Sequence, residues 1–356
     1  MLKKDNFFKN YFINLSKYNK NLKKTKKVFS SFIVDLKNNQ IPLLKSYEKN
    51  YEFDFSATTV KKFSKYRNIV VIGMGGSILG TKSIYSFLKK RIKKEVFFFD
   101  NLDLNLSLKY KKIKNLKNSC FIIVSKSGDT LETITNLGTI FSENLLKNKL
   151  IIITEITDNA LMAIANKYNA EIIEHKEFIG GRYSVLSETG MFPAALMGLN
   201  LMKFKNLKRL IKNKNFISSL IQNVASIYTL NSKKINNSVI LNYDSSLNDL
   251  GYWYQQLVAE SLGKQGKGIN PILSFGPKDH HSLLQLYLDG PKDKFFTFFN
   301  SSKRENKLKV ARGIIPNNMG FLINKNLEFI INAQCNATKN IFKLKKIPFR
   351  QITFNK

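Results

Sequence analysis

The feature that most constrains this chain is a series of short, unbroken apolar runs, each followed by a longer stretch with helical spacing. The runs are IVVIG (69–73), EVFFFD (95–100), CFIIVS (120–125), LIIITE (150–155) and EIIE (171–174). Segments such as SILGTKSIYSFLKKRIKK and TLETITNLGTIFSENLLKNK lie between them. A strand with one wet face alternates apolar and polar residues, so runs without alternation are buried on both faces. Parallel strands with helices on either side meet that requirement, which predicts a doubly wound α/β domain. The alternation restarts with SVILNY (238–243), PILSFG (271–276) and KFFTFF (294–299), separated by the helical stretches LNDLGYWYQQLVAESLGK and HHSLLQLYLDG. This predicts a second, smaller α/β unit.

The remaining segments fill in the organisation. Residues 1–50 are rich in Lys and Asn, with helical spacing at Phe7, Phe8, Tyr11, Phe12 and Leu15 and again at Val28, Phe29, Phe32, Ile33 and Leu36. The expected division is an N-terminal helical segment (1–50), a first domain (51–200), a helical connection (201–235) and a second domain (236–356). At 356 residues the chain is long enough for two separate cores.

A formal net charge of +33 raises nucleic acid as a partner. The cations, however, are overwhelmingly lysine and are scattered among asparagines and isoleucines, whereas base-reading and phosphate-forking proteins favour arginine. No basic helix, aromatic RNA-binding stripe or Cys/His finger accompanies them. No apolar stretch approaches the ~20 residues of a membrane span, and MLKKDNFFKNYF lacks the apolar centre of a secretory signal. Neither nucleic acid nor membrane is an expected partner. Cys120 and Cys335 have no metal or disulfide spacing, which suits a reducing cytoplasm.

Two loops stand at the carboxyl ends of strands, where open α/β sheets bind ligands. In the first, Gly73, Gly75, Gly76 and Gly80 surround Ser77 in GMGGSILG, a spacing unlike the G-x-G-x-x-G of dinucleotide sites. In the second, Ser125, Lys126, Ser127, Gly128, Asp129 and Thr130 separate a buried strand from a helix. Hydroxyls and backbone N–H groups at a helix start suit an anion; a plain helix cap at Ser127, Asp129 or Thr130 accounts for the same residues. Together the loops suggest a phosphorylated small molecule held from two sides.

Further on, Arg182 follows Gly180 and Gly181, either aimed into a cleft as an oxyanion ligand or lying in a surface turn. Glu260 falls four residues after Gln256, hence on the same helical face, as a cleft carboxylate or a solvated one. His280 and His281, two of only three histidines, stand at a helix start as acid–base candidates or as capping residues.

In that order, VIGMGGSILG, SKSGDTLET, GGRYSVLSETG, AESLGKQGKG and HHSLLQLYLDGPKD resemble the glucose-6-phosphate isomerase family, built from two sugar-isomerase (SIS) domains. The resemblance spans residues 69–350. GGRYS and ESLGK are specific to the isomerases, whereas SKSGDT is shared by SIS domains in general. It implies two doubly wound, flavodoxin-like domains with parallel sheets covered by helices. It implies that Gly76 and Ser77 line the sugar-phosphate site, that Ser125, Lys126, Ser127 and Thr130 bind the phosphate, and that Gln256 contacts substrate. Arg182 would stabilise a cis-enediolate, Glu260 would move a proton between C1 and C2, and His281, rather than His280, would open the sugar ring across a homodimer interface. A carboxylate, an imidazole and a cation supply this chemistry with no cofactor and no metal.

The implied function is reversible conversion of glucose 6-phosphate and fructose 6-phosphate in glycolysis and gluconeogenesis, in the cytoplasm. The alternatives are a sugar-phosphate-binding protein with impaired catalysis and an isomerase for a related sugar phosphate such as mannose 6-phosphate. Relatives continue past the counterpart of ATKNIFKLKKIPFR into a helical segment and a lysine-bearing motif that assists ring opening. IPFR fits the strand before that segment and Lys356 does not stand in for the lysine, so the chain is expected to be truncated relative to the family.

Overall fold

The computed structural model describes residues 14–113, 115–140, 149–302 and 308–355. Phe7, Phe8, Tyr11, Phe12, Lys356 and residues 141–148 of TLETITNLGTIFSENLLKNK therefore lie outside the described residues. The chain divides into two compact units, one comprising Asp35–Leu210 with Tyr252–Leu257, the other Met1–Val34 with Ile211–Gly251 and Val258–Lys356.

The unit containing Asp35–Leu210 is built on a five-stranded sheet of β1 (Asn68–Gly73), β2 (Glu95–Phe99), β3 (Ser119–Val124), β4 (Leu150–Thr154) and β5 (Glu171–Glu174). The strands run in the order β2-β1-β3-β4-β5 and every pairing is parallel. All residues of β1, β3 and β4 are buried. Successive side chains of a strand point to opposite faces, and the core divides accordingly. Ile69, Val71, Ile122, Val124, Ile151 and Ile153 pack with Phe63 and Phe192 on one side. Val70, Ile72, Phe121, Ile123 and Ile152 pack with Leu137 and Leu161 on the other. Truncating one of these, such as Ile122, to alanine should cost about 2–5 kcal/mol.

Strand order 2-1-3-4-5 places the switch in winding direction between β1 and β3. The loops leaving the carboxyl ends of those two strands are the glycine loop and the hydroxyl-rich loop. The sheet thus brings together what the sequence separates by about fifty residues.

The other unit has a parallel sheet of β6 (Asn237–Asn242), β7 (Asn270–Phe275), β8 (Lys294–Ser302) and β9 (Phe349–Asn355), ordered β7-β6-β8-β9. The last strand includes Phe349 and Arg350, the end of IPFR. Val239, Leu241, Phe296 and Phe298 pack against Cys335 and Phe342 of the helix Leu327–Leu344. Leu230 and Phe295 form a further cluster with Tyr18. The helix Leu15–Lys37 carries Leu15 and the second apolar group, Val28, Phe29, Phe32, Ile33 and Leu36, and Asn21 Nδ2 donates to Thr229 Oγ1 of the helix Lys214–Asn231 at 2.9 Å.

Candidate active site

After β3 the chain turns through residues 125–130 into the helix Leu131–Ile140. Ser125 is buried, and its Oγ lies 2.7 Å from Thr130 Oγ1 and accepts the Gly128 N–H at 3.2 Å. Gly128 has φ +77°, and a Cβ there would stand 2.0 Å from Asn159 Oδ1, so both backbone conformation and space demand glycine. Asp129 Oδ1 accepts the Ala160 N–H at 2.9 Å, which ties the turn to the start of the helix Ala160–Tyr168. Ser127 is exposed. The result is a rigid turn whose hydroxyls stand at the start of a ten-residue helix, where unpaired N–H groups and the helix dipole favour an anion.

Lys126 is engaged differently. Its Nζ donates to Glu177 O at 2.7 Å and lies 3.4 Å from Glu155 Oε1, both beyond the ends of neighbouring strands. The sequence gives no sign of either partner.

The glycine loop after β1 forms a short 3-10 turn, Gly75–Ser77, before the helix Leu79–Leu88. Gly75 has φ +50°, and a Cβ there would meet Gln256 Nε2 at 2.9 Å. Gln256, named from its place on the later helix Asn248–Leu262, is thus packed on the glycine loop. Gly76 in turn rests on the backbone of Gly181 and Arg182.

Arg182 is the second residue of a 3-10 turn, Gly181–Leu186, and its guanidinium lies over the Tyr183 ring, 4.6 Å from the centroid. Its carbonyl accepts the indole N–H of Trp253 at 3.2 Å. Ser184 Oγ lies 2.7 Å from Gly181 O and 3.3 Å from Gly76 O. Gly76, Ser77, Ser125, Ser127, Thr130, Arg182 and Gln256 therefore all sit in one unit, on loops or helix segments belonging to it.

Glu260 and His281 belong to the other unit. Glu260 is an exposed residue near the end of the helix Asn248–Leu262, just before a tight turn bridged between Lys264 and Lys267. His281 is exposed and closes the short turn Lys278–His280. Asp279 holds that turn to β7, its Oδ2 accepting Phe275 N at 2.7 Å and Ser274 Oγ at 3.0 Å.

His280 is half-buried and bonded instead. Thr338 Oγ1 donates to Gln334 O at 2.9 Å and Tyr243 Oη donates to Thr338 Oγ1 at 3.1 Å. With both hydroxyl protons committed, the 2.7 Å contact between His280 Nε2 and Tyr243 Oη has the imidazole as donor. Burial lowers the His280 pKa, and the neighbouring His281 adds to that. A cavity of about 210 Å³ beside it is lined by Leu284, Leu288, Ala337 and Ile341 as well as Gln334 and Thr338. It has no cation in its wall and does not suit a phosphate. The structure thus separates two adjacent histidines that local spacing alone leaves equivalent: His280 is bonded into the fold and His281 is presented to solvent.

Residues 38–275 match the protein family described as Phosphoglucose isomerase. The chain belongs to the phosphoglucose isomerase family. It is 39% identical over 262 residues to the glucose-6-phosphate isomerase of Methanocaldococcus jannaschii, a match that covers 70% of this chain and 64% of that relative. A protein of Methanococcus maripaludis described as a probable glucose-6-phosphate isomerase is 31% identical over 341 residues, covering 89% of this chain and 76% of its own length. Among solved structures, a hypothetical protein of Thermus thermophilus, TT0462, shares the fold with a TM-score of 0.75 at 20% identity, covering 99% of this chain and 88% of that one. A glucose-6-phosphate isomerase structure from Chlamydia trachomatis gives a TM-score of 0.64 at 18% identity, covering 84% of this chain and 63% of that one.

The phosphoglucose isomerase match contains the glycine loop, the hydroxyl-rich loop, Arg182, Gln256 and Glu260, and ends just before His281. Several residues that touch the family's motifs here went unseen in the sequence. Trp253 binds the Arg182 carbonyl, Tyr47 Oη donates to the Tyr183 carbonyl at 3.4 Å, and Lys205 donates to the Leu186 carbonyl. Trp253, the single tryptophan of the chain, offered a compositional signal. Tyr47 and Lys205 offered none, since their partners are backbone atoms far away in sequence.

Proposed function

We propose that the chain is a glucose-6-phosphate isomerase, interconverting glucose 6-phosphate and fructose 6-phosphate through a cis-enediolate. The observation that carries this reading is the turn at residues 125–130, a hydroxyl-lined helix start at the switch point of the first sheet, in a chain of the phosphoglucose isomerase family. A sugar phosphate offers that turn a dianion, and Ser125, Ser127 and Thr130 with the first N–H groups of the helix Leu131–Ile140 supply donors. Lys126 adds positive charge nearby while it remains bonded to Glu177 O. Gly76 and Ser77 line the sugar-phosphate site, and Gln256 contacts the substrate.

The chemistry divides among three groups. His281 transfers the protons that open the ring. Glu260 removes the proton from C2 and returns it to C1, a step for which a positioned base is worth ~10²- to 10⁴-fold. Arg182 balances the charge on the enediolate oxygen, worth a further ~10²- to 10³-fold. The same reading makes the working unit a homodimer in the cytoplasm. The buried free thiols of Cys120 and Cys335 suit a reducing compartment, and exposed Ile314, Phe321 and Phe329 offer apolar surface to a second copy.

The test is turnover of fructose 6-phosphate by the purified 356-residue chain, followed through a glucose-6-phosphate dehydrogenase. Steady formation of glucose 6-phosphate is expected. Binding of the sugar phosphate without turnover would replace this reading with that of a binding protein, and turnover only of mannose 6-phosphate would change the substrate.

A further inference from the structure

Lys205 is 2% exposed. A buried ammonium is costly unless its charge and all its donors find partners, so its surroundings carry information. Its Nζ donates to two backbone carbonyls, those of Ser46 and Leu186. It also lies over two aromatic rings, 4.7 Å from the centroid of Tyr51 and 4.5 Å from that of Phe53. The nearby Glu188 is fully buried. Tyr51 Oη lies 2.9 Å from each of its carboxylate oxygens, and the Asp54 N–H donates to one of them at 3.1 Å. Burial lowers the Lys205 pKa to about 8, against the opposing pull of Glu188.

What the ammonium holds is specific. Leu186 is the last residue of the 3-10 turn on which Arg182 stands second. The final carbonyls of a helical turn have no partner within it, and Lys205 supplies one from outside. Other tethers hold the turn before its last residue: Tyr47 on the Tyr183 carbonyl, Ser184 on Gly181 and Gly76, Trp253 on the Arg182 carbonyl and Ser187 on the Ser184 carbonyl. Packing completes the clamp, since a Cβ at Gly80 would lie 2.5 Å from the Val185 side chain and one at Gly190 2.1 Å from Val185 O. Both Lys205 and its second acceptor, Ser46, lie outside the motifs that mark the family in this sequence.

We propose that Lys205 is a positioning residue for Arg182: by joining the Leu186 carbonyl to that of Ser46 inside the Tyr51–Phe53 ring pair, it fixes the turn that presents the guanidinium. This rests on the reading of Arg182 as the cation that stabilises the enediolate. Arg182 acts on charge that develops in the transition state, so loosening its turn should lower kcat and leave KM nearly alone.

The test is Lys205→Met, which keeps the length of the side chain between the rings and removes both hydrogen bonds. Amide exchange across residues 181–187 should speed at least tenfold while exchange in β3 is unchanged. Turnover of fructose 6-phosphate should fall at least tenfold with KM changed less than threefold. Ile92→Ala, a core truncation in the same unit, serves as the comparison and should lower thermal stability without that split. Lys205→Gln retains two N–H donors, should restore part of both signals, and carries the comparison if Lys205→Met does not fold. Unchanged exchange at 181–187, or a kcat no lower than that of Ile92→Ala, would overturn the proposal. A wild-type chain without turnover would overturn the isomerase reading instead, and the exchange measurement would still decide the clamp.

Discussion

A Cβ at Gly76 would stand 2.3 Å from the carbonyl carbon and oxygen of Gly181 and 2.5 Å from the nitrogen of Arg182. The glycine loop after β1 and the turn bearing Arg182 thus meet backbone to backbone, and only the missing side chain at Gly76 permits it. Gly76→Ala must push the two apart, since the atoms it meets are main chain. Overpacking of this kind costs about 1–3 kcal/mol, and a displacement of ~1 Å at a catalytic group costs up to ~10²-fold in rate. The expected result is at least a tenfold fall in kcat with a modest loss of thermal stability. Gly138→Ala is the natural comparison, because a Cβ there meets nothing within 4 Å and the position lies in the helix Leu131–Ile140. Equal kcat in the two variants would show that the contact does not bear on Arg182.

The hydroxyl-rich turn makes a different demand. Ser127 is exposed, and Thr130 braces Ser125 through the 2.7 Å contact of their oxygens. On the reading proposed above, replacing both Ser127 and Thr130 by alanine removes two donors to the phosphate and loosens a third. Hydrogen bonds to a charged group are each worth ~1.5–3 kcal/mol. KM for fructose 6-phosphate should therefore rise at least tenfold, by more than kcat falls. An unchanged KM would place the phosphate elsewhere.

How much of this was legible in the sequence follows from the range of the interactions involved. The strands were legible because both faces of β1, β3 and β4 are buried, so each residue declares itself without reference to any partner. The turn at 125–130 was legible for a similar reason, since Ser125, Gly128 and Thr130 mostly bond one another. The fate of the Lys126 ammonium was not, because Glu177 O comes to it only through the register of β4 and β5. Nor did the residues around them tell His280 from His281; only the family resemblance singled out His281. That distinction depends on Tyr243 and Thr338, which lie 37 and 58 residues away from His280. The Lys205 clamp is the extreme case, a side chain bonded to two carbonyls, and carbonyls leave no trace in sequence.

Glu260 bears the most specific chemical assignment. Glutamine keeps its shape and its capacity to hydrogen-bond but takes up no proton near neutral pH. Glu260→Gln should therefore abolish exchange of the C2 hydrogen with solvent deuterium, lowering it by ~10²- to 10⁴-fold, while binding of the sugar phosphate persists. Proton exchange read by NMR is the measurement. Exchange at the wild-type rate in the variant would remove Glu260 as the base.

The third histidine gives a prediction about acid stability. His175 is 2% exposed, immediately after β5, with its backbone N–H on Thr154 O at 2.7 Å and its Nδ1 3.3 Å from Lys176 O. Burial is the main reason its pKa is lowered from 6.5, and the Lys126 ammonium lowers it further, opposed by the hydrogen bond to the Lys176 backbone and by Glu155. The folded chain thus holds this imidazole neutral at a pH where the unfolded chain already binds a proton. The unfolded state carries more protons in that window, so stability rises with pH across it. In the other direction, stability should begin to fall as pH drops through about 6.5, the unfolded value, and the loss should be complete once pH is below the folded pKa. His280, also lowered, contributes in the same sense. Denaturant midpoints measured from pH 7.5 down to 5 should decline in the wild type and decline less steeply in His175→Gln, which has no proton to gain. If the two curves run parallel, the acid sensitivity resides in His280 and the carboxylates, and the buried imidazole beside Lys126 takes no part in it.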